Sequence, residues 1–450
     1  MSDRYDLIVL GSGSSGSTVA KKASCHGLRV AIVENRELGG TCALRGCNPK
    51  KVLTRSAELM DFVRTMDGRY LRKNDAALDW QAVRAYQRTY VDSVPPAERS
   101  GLEEAGVEVV KGDPRFTDAH TLDVDGRAMA ADRFLIATGS GPSDVPIEGA
   151  GLLTTSDEFL FLDELPRSIV FLGGGYISAE FATIARAYGS EVAIVEREDR
   201  ILDGFDPDLI DALTAHMREQ GFAVYTGHDV QEVERTAEGL ETTIESDDGQ
   251  SRTLTADMVV HGLGRSASVG TLNLDAAGVE VGKKGVKIDD RCRTTADHVW
   301  AVGDCADSGR PMLTPVANDE ARAVANQIRG RDNTKIDDGP VPFSAYTLPQ
   351  IASVGMTEAE ARDEFGDGLT VNGEPMEGWT TYRKVGAEVA RYKTLLAPDG
   401  RVVGAHLLGP HASETINLMA MAVRFAVTRD QIKQMLFAYP TLASEFRAMV

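Results

Sequence analysis

The chain is 450 residues long, 42% apolar and 26% charged, with 48 Lys plus Arg against 68 Asp plus Glu, a formal net charge of −20. That balance argues against a nucleic-acid binder, and the composition excludes disordered and collagen-like classes. At roughly 100 to 200 residues per domain the length predicts about three domains. Apolar runs reach four to six residues, far short of the ~18 that a membrane span needs, so no membrane association is expected. The opening Met-Ser-Asp-Arg-Tyr-Asp has neither the charged nor the apolar region of a signal peptide, which predicts a soluble, cytoplasmic protein. Five cysteines are too few for a disulfide-stapled scaffold, so a close pair such as Cys42 and Cys47 points to catalysis or metal binding.

In chain order, an apolar strand, Leu7 to Leu10, runs into Gly11-Ser12-Gly13-Ser14-Ser15-Gly16 and a stretch with Val19, Ala20 and Ala23 at helical spacing. A second strand, Val30 to Val33, ends in Glu34. This is the pattern of a dinucleotide-binding unit. The glycines allow a tight turn and close approach of a pyrophosphate to a helix N-terminus, and the acid binds ribose hydroxyls. The pattern recurs as strand Ser168 to Leu172, turn Gly173-Gly174-Gly175-Tyr176-Ile177-Ser178, a helix to about Tyr188, and strand Val192 to Val195 ending in Glu196. Two copies in full context are a much stronger signal than one.

Three further strands run into glycine, at Phe134 to Gly139, Met258 to Gly262 and Val299 to Asp304, and read as parallel strands feeding ligand-facing loops. Gly330 to Pro342, rich in Asp, Gly and Pro, marks a boundary. Beyond it, strands around Tyr392 to Leu396 and Val402 to Leu408 flank the hairpin turn Pro398-Asp399-Gly400, and Thr428 with Gln431 forms a capping box. The expected architecture there is an antiparallel sheet with helices on one side.

The cysteines lie in Gly39-Gly40-Thr41-Cys42-Ala43-Leu44-Arg45-Gly46-Cys47-Asn48-Pro49-Lys50. In a regular helix residues five apart have Cα atoms ~8 to 9 Å from each other, beyond the ~4.4 to 6.8 Å of a disulfide. A bridge therefore needs a distorted backbone, which Gly40 and Gly46 permit, and strained bridges are the reducible ones. The alternatives are two unpaired core thiols or a metal site, the latter short of further Cys or His ligands nearby. No metal is expected.

At this point the whole chain resembles the flavoprotein pyridine nucleotide-disulfide oxidoreductases, the family of glutathione reductase, dihydrolipoamide dehydrogenase and mercuric reductase. The resemblance implies an α/β fold of two Rossmann-like domains and a C-terminal α+β dimerisation domain. The implied segments are 1–145 for FAD with the redox disulfide, 146–265 for NAD(P), 266–335 for FAD again and 336–450 for the interface. It implies FAD held by Gly11, Gly13, Ser14, Ser15, Gly16, Glu34, Thr41, Lys50, Gly139, Asp304 and Thr314, with Asp304 on the ribityl chain. It implies NAD(P)H held by Gly173, Gly175, Tyr176, Ile177, Glu180, Glu196, Arg197 and Gly264, with Tyr176 gating the flavin. Cys47 would form the thiolate against the flavin, Cys42 would attack substrate, and Lys50 would pair with Glu180. Lys21 and Arg322 match positions that hold substrate carboxylates in glutathione reductase.

Glu196 accepts hydrogen bonds from both ribose hydroxyls and repels a 2′-phosphate, which favours NADH. Arg197 and Arg200 pull the other way, and Asp203 stands where the NADPH-binding branch has a second arginine. The family's C-terminal His-Pro-Thr motif, in which a Glu orients the His, reads here Tyr439-Pro440-Thr441-Leu442-Ala443-Ser444-Glu445, with Tyr439 for the His and Ser444 for the Glu. Histidine, near pKa ~6.5, shuttles a proton at pH 7; a phenol, near ~10, donates but is a poor base. A substrate with an easy leaving group follows: a thione disulfide, an activated disulfide or a soft metal. Mercury reduction is disfavoured because the C-terminal cysteine pair of mercuric reductase is missing from Phe446-Arg447-Ala448-Met449-Val450. The function expected is reduction of a low-molecular-weight disulfide by a homodimer whose Tyr439 reaches the other subunit's Cys42. The alternatives are a quinone or metal-ion reductase and a dihydrolipoamide dehydrogenase subunit of a 2-oxo-acid dehydrogenase complex. His406 and His411 are expected in the hairpin-to-helix turn of the last domain, with structural roles.

Overall fold

The computed structural model describes residues 3–74, 76–331 and 333–450; Met1 and Ser2, on which part of the N-terminal reading rests, lie outside them. The chain divides into two units, one of Met1–Val52, Ala85–Ser143 and Gly264–Asp338, the other of Leu53–Arg84, Asp144–Leu263 and Gly339–Val450. Among the described residues no helix is long and apolar enough to cross a membrane.

The first unit is built on a sheet in the order Glu108–Lys111, Val30–Glu34, Asp3–Leu10, Arg127–Ile136, Thr121–Val124 and Pro114–Asp118, with Val299–Ala301 also pairing Arg127–Ile136. The unbroken apolar run at its centre follows from burial on both faces. Ile8 and Leu10 join Phe134 and Ile136 on one face, while Leu7 and Val9 join Ile32 and Leu135 on the other. Helices Ser14–Ser24 and Thr314–Ile328 cover the second face through Val19, Ala20, Ala23, Ala321 and Val324. The pairs Leu10↔Val33, Leu10↔Ile136 and Ala301↔Ile136 are parallel, so these strands end together at one edge. The segments leaving that edge are Gly11 to Gly16, Glu34, Ala137 to Gly139 and Val302 to Asp304, the position where open α/β sheets bind ligands.

In the second unit, a parallel sheet runs Ala223–Tyr225, Glu191–Val195, Ser168–Leu172, Met258–His261, and Leu172 pairs with both Val195 and His261 at its C-terminal edge. The C-terminal sheet is antiparallel throughout, in the order Phe343–Ala345, Gln350–Gly355, Val402–Gly409, Arg391–Leu396, Thr370–Pro375. Thr428 and Gln431 form the expected capping box. Two expectations are corrected. The sheet is covered on both faces: Ala352, Val354, Ala405 and Leu407 pack with Ile416 and Met419 of helix Ala412–Arg424, while Ile351 and Leu408 pack with Leu209, Leu213 and Met217 of helix Pro207–Glu219. His406 lies inside strand Val402–Gly409, where Ser353 Oγ and Met356 O occupy its two ring nitrogens; only His411 sits at the turn, as the N-cap of the next helix.

Candidate active site

The first glycine-rich turn is held closed by contacts that no side chain would allow. A Cβ on Gly16 would meet Gly11 O at 2.1 Å, so the helix beginning at Ser14 rests directly on the strand's end. That helix has neither a side-chain cap at Gly13 nor an acid in its first turn, which leaves its first N–H groups, near Ser14 and Ser15, open to an anion. Glu34 closes the turn's edge, accepting from Ser12 N at 2.9 Å and Ser12 Oγ at 2.7 Å. The uncapped helix end, the glycine contact and the carboxylate at the neighbouring strand's end together fit a dinucleotide.

The second copy repeats the arrangement. Gly175 is again an uncapped N-cap, for a helix Tyr176–Ala187 that starts with the exposed Tyr176 and the half-buried Ile177. Its third small position is Ser178, and Gly262 opposite makes room: a Cβ there would lie 2.0 Å from Ser178 Oγ. Glu196 accepts from Gly174 N and, at 2.9 Å, from Glu198 N. Arg197 pairs with Glu198 at 3.0 Å, and Arg200 grips Asp211 through two bonds of 2.8 and 3.0 Å. In the same helix Glu180 is buried and accepts from Tyr346 N at 3.1 Å.

The cysteine segment does not run as one helix. A short helix, Gly40–Leu44, carries Thr41 and Cys42, stops at Arg45 and Gly46, and a 20-residue helix restarts at Cys47. Gly40, at φ +71°, lies against the first glycine-rich turn, where a Cβ would sit 2.5 Å from Gly13 Cα. The break turns both sulfurs toward each other as two thiols joined by a hydrogen bond. Cys47 Sγ also lies 3.9 Å from Thr314 Oγ1, at the start of helix Thr314–Ile328. The bond from Cys42 holds the Cys47 thiol down at about 6 against its burial, helped by the charge of Lys50 and by the Thr314 hydroxyl. The same bond and burial push Cys42 far above the ordinary thiol range. Lys50 lies one turn into the second helix and is buried.

Asp304 sits in the single turn Gly303–Cys305 and accepts from Ser140 Oγ at 3.1 Å. Arg265 stiffens that contact, with Nε 3.0 Å from Ser140 Oγ and Nη2 2.6 Å from Ser140 O. Gly139 and Gly264 flank these residues at φ +68° and +107°. Sequence reasoning missed Ser140 and Arg265, although each directly follows one of the glycines it singled out. Lys21 pairs with Glu98 at 2.8 Å, and Arg322 with Asp319.

Tyr439 is 77% exposed and precedes a cis peptide to Pro440. Ser444 Oγ donates to Thr441 O at 2.6 Å, and Glu445 accepts from Thr381 Oγ1 at 2.6 Å, so both spend their polar atoms away from the Tyr439 phenol.

Residues 5–321 match the pyridine nucleotide-disulphide oxidoreductase family, and residues 341–450 match its dimerisation domain. A glutathione reductase of Nostoc sp. is 32% identical over 463 aligned positions covering 99% of both chains. A glutathione reductase of Burkholderia cepacia is 33% identical, over 98% of this chain and 97% of the relative. A mercuric reductase of Staphylococcus aureus is 31% identical, over 98% of this chain and 80% of its own. With the two dinucleotide turns and the paired thiols already in place, these matches show that the chain belongs to the pyridine nucleotide-disulphide oxidoreductases, FAD-dependent enzymes that draw their electrons from NAD(P)H.

Proposed function

We propose that this enzyme reduces a low-molecular-weight disulfide whose leaving group is a low-pKa thiol or a thione, that it prefers NADH, and that it works as a homodimer with Tyr439 reaching the other subunit's Cys42. In this reading 1–145 and 266–335 bind FAD, 146–265 bind NAD(P)H and 336–450 form the interface. The observation that carries it is the pair of thiols itself, Cys42 and Cys47 hydrogen-bonded across the break between two helices, with Cys47 Sγ 3.9 Å from Thr314 Oγ1.

Bound FAD would carry two electrons from NAD(P)H to the Cys42–Cys47 disulfide, leaving the two sulfurs with one proton between them. Cys42 would then attack the substrate disulfide as its proton passes to Cys47, forming a mixed disulfide and expelling one thiolate. Loss of that proton from Cys47 to the leaving group or to water frees its sulfur to attack Cys42, re-forming the bridge and releasing the second thiolate. Cys47 thus accepts the proton that the family's histidine accepts elsewhere, and Tyr439 is left to donate only. Acceptors whose thiolate leaves unaided are favoured by this arrangement. A substrate-carboxylate role for Lys21 and Arg322 would require their pairs with Glu98 and Asp319 to open. For the nicotinamide, Arg200 and Arg197 are already engaged by Asp211 and Glu198, which supports NADH. The homodimer is supported by the exposed apolar side chains of the last segment, Phe425 at 70% and Leu436 at 94% among them.

The test is anaerobic turnover with NADH and NADPH against glutathione disulfide, lipoamide, glutamylcysteine-type disulfides, thione disulfides, quinones and Hg(II). We expect a thione or activated disulfide to give the highest kcat/KM, and NADH to exceed NADPH by roughly tenfold, about 1.4 kcal/mol of like-charge discrimination. Cys42→Ser should abolish disulfide turnover and spare quinone reduction. If quinones or metal ions outpace every disulfide, and Cys42→Ser leaves the best activity intact, the diaphorase reading replaces this one.

A further inference from the structure

Helix Thr314–Ile328 shows a glutamate where its pattern calls for an apolar residue: Glu320 shares a face with Val316 and Val324 and is 1% exposed. A carboxyl so buried needs partners. Its Oε2 accepts from Gly303 N at 2.6 Å, and the Ser308 hydroxyl bonds to the same side chain. Strand Val299–Ala301 ends just before Gly303, which turns the chain at φ +73° and leaves its amide facing the helix rather than a neighbouring strand. A Cβ on Gly303 would lie 3.2 Å from Ser15 Oγ and 3.5 Å from Ala317 Cβ, so the turn is wedged between the first glycine-rich turn's helix and the Glu320 helix. The adjacent Asp319 holds the far end of the same loop, accepting from Arg310 at 3.1 Å. Two consecutive acids of one helix thus pin both ends of the segment that carries Asp304 and leads into Thr314.

We propose that Glu320 is the positioning residue of the Asp304 turn: its carboxyl holds the Gly303 amide and thereby fixes the Asp304 carboxylate on the flavin-facing side. Ser140, backed by Arg265, fixes that carboxylate from the other direction. The proposal rests on the reading of Asp304 as a contact to the flavin's ribityl chain. Glu320 touches no part of the cofactor in this scheme and acts only through the turn.

FAD release from the purified holoenzyme, followed as fluorescence of free flavin on dilution, tests it. Glu320→Gln keeps a carbonyl oxygen for the amide and should retain FAD within about threefold of wild type. Glu320→Leu removes the acceptor, and FAD affinity should fall by about tenfold to a hundredfold, the worth of a buried hydrogen bond to a charged group. Glu320→Asp, which keeps the carboxyl but withdraws it by one methylene, should weaken FAD in the same direction and serves if the leucine variant does not fold. Asp304→Ala should weaken FAD by itself, and Asp304→Ala with Glu320→Asp should be no weaker than Asp304→Ala alone, because both act through one carboxylate. Wild-type FAD affinity in both Glu320→Leu and Glu320→Asp, or losses that add in full in the double variant, would overturn the assignment while leaving Asp304 in place. Unchanged affinity in Asp304→Ala would overturn the ribityl reading itself, and the role of Glu320 with it.

Discussion

Cys47 differs from Cys42 by its place at a helix start, its neighbours Lys50 and Thr314, and the hydrogen bond it receives. These give it a thiolate at neutral pH, while Cys42 keeps its proton. Because the folded pKa is depressed, the reactive form is present above it and lost below. Alkylation of Cys47 by iodoacetamide in the reduced enzyme, read by mass spectrometry of its peptide, should therefore titrate with a midpoint of about 6 and fall about tenfold for each pH unit below that. Cys42→Ala removes the leading cause of the depression and should move the midpoint up toward the ordinary thiol range. A wild-type midpoint near ~8.5 would mean that the two sulfurs do not share a proton, and the proton route through Cys47 would fall. From spacing alone the pair could be a bridge, two core thiols or part of a metal site. The naming of Cys47 as the thiolate came only with the family resemblance, because the physical causes, the break at Arg45 and Gly46 and the distant Thr314, are not local in the sequence.

At the scale of elements, what the amino-acid pattern could not show was which surfaces are covered. Strand Arg391–Leu396 alternates in a way that would leave Lys393 facing solvent, yet helix Pro207–Glu219 closes over that face of the sheet. Lys393 is buried and reaches Asp206, Asp208 and Glu358 at 2.8, 2.7 and 2.7 Å. Those three carboxylates hold its ammonium well above the ordinary lysine range against the burial that opposes them. Asp206 is almost fully buried and also caps the helix, accepting from Asp208 N and Leu209 N. Lys393→Met should cost about 3 kcal/mol, the low end for breaking a buried pair, because Asp206 keeps two amide donors and the other acids reach water. The midpoint of urea unfolding would report it, and an unchanged midpoint would mean that the cluster contributes no net stability. The strand, turn and helix of each dinucleotide unit were readable, by contrast, since they lie within about 30 contiguous residues, whereas the close packing of Gly262 against Ser178 in the second was not.

For the molecule as a whole, the family was legible because its marks are local and repeated, whereas the meaning of the net charge of −20 is a matter of the solvent. Surface pairs such as Arg64 with Glu388 are partly exposed and contribute little, about 0 to 1 kcal/mol each. Salt weakens them, but it also screens the repulsion among the excess carboxylates, which cannot all find cations when 68 acids face 48 bases. Between about 0.1 and 1 M ionic strength the screening length falls from about 10 to 3 Å, below the spacing of most surface charges. With the acids in excess the second effect outweighs the first, so Tm should rise by several degrees as KCl is raised from about 0.1 to 1 M at pH 7. The gain should shrink near the sequence pI of 4.9, where the net charge vanishes. Calorimetry of the holoenzyme at matched FAD concentration makes the comparison, with the pH 5 series as its control. A Tm that stays flat or falls with salt at pH 7 would show that the cations already neutralise their acidic neighbours locally, and that the excess charge is spread too thinly to strain the fold.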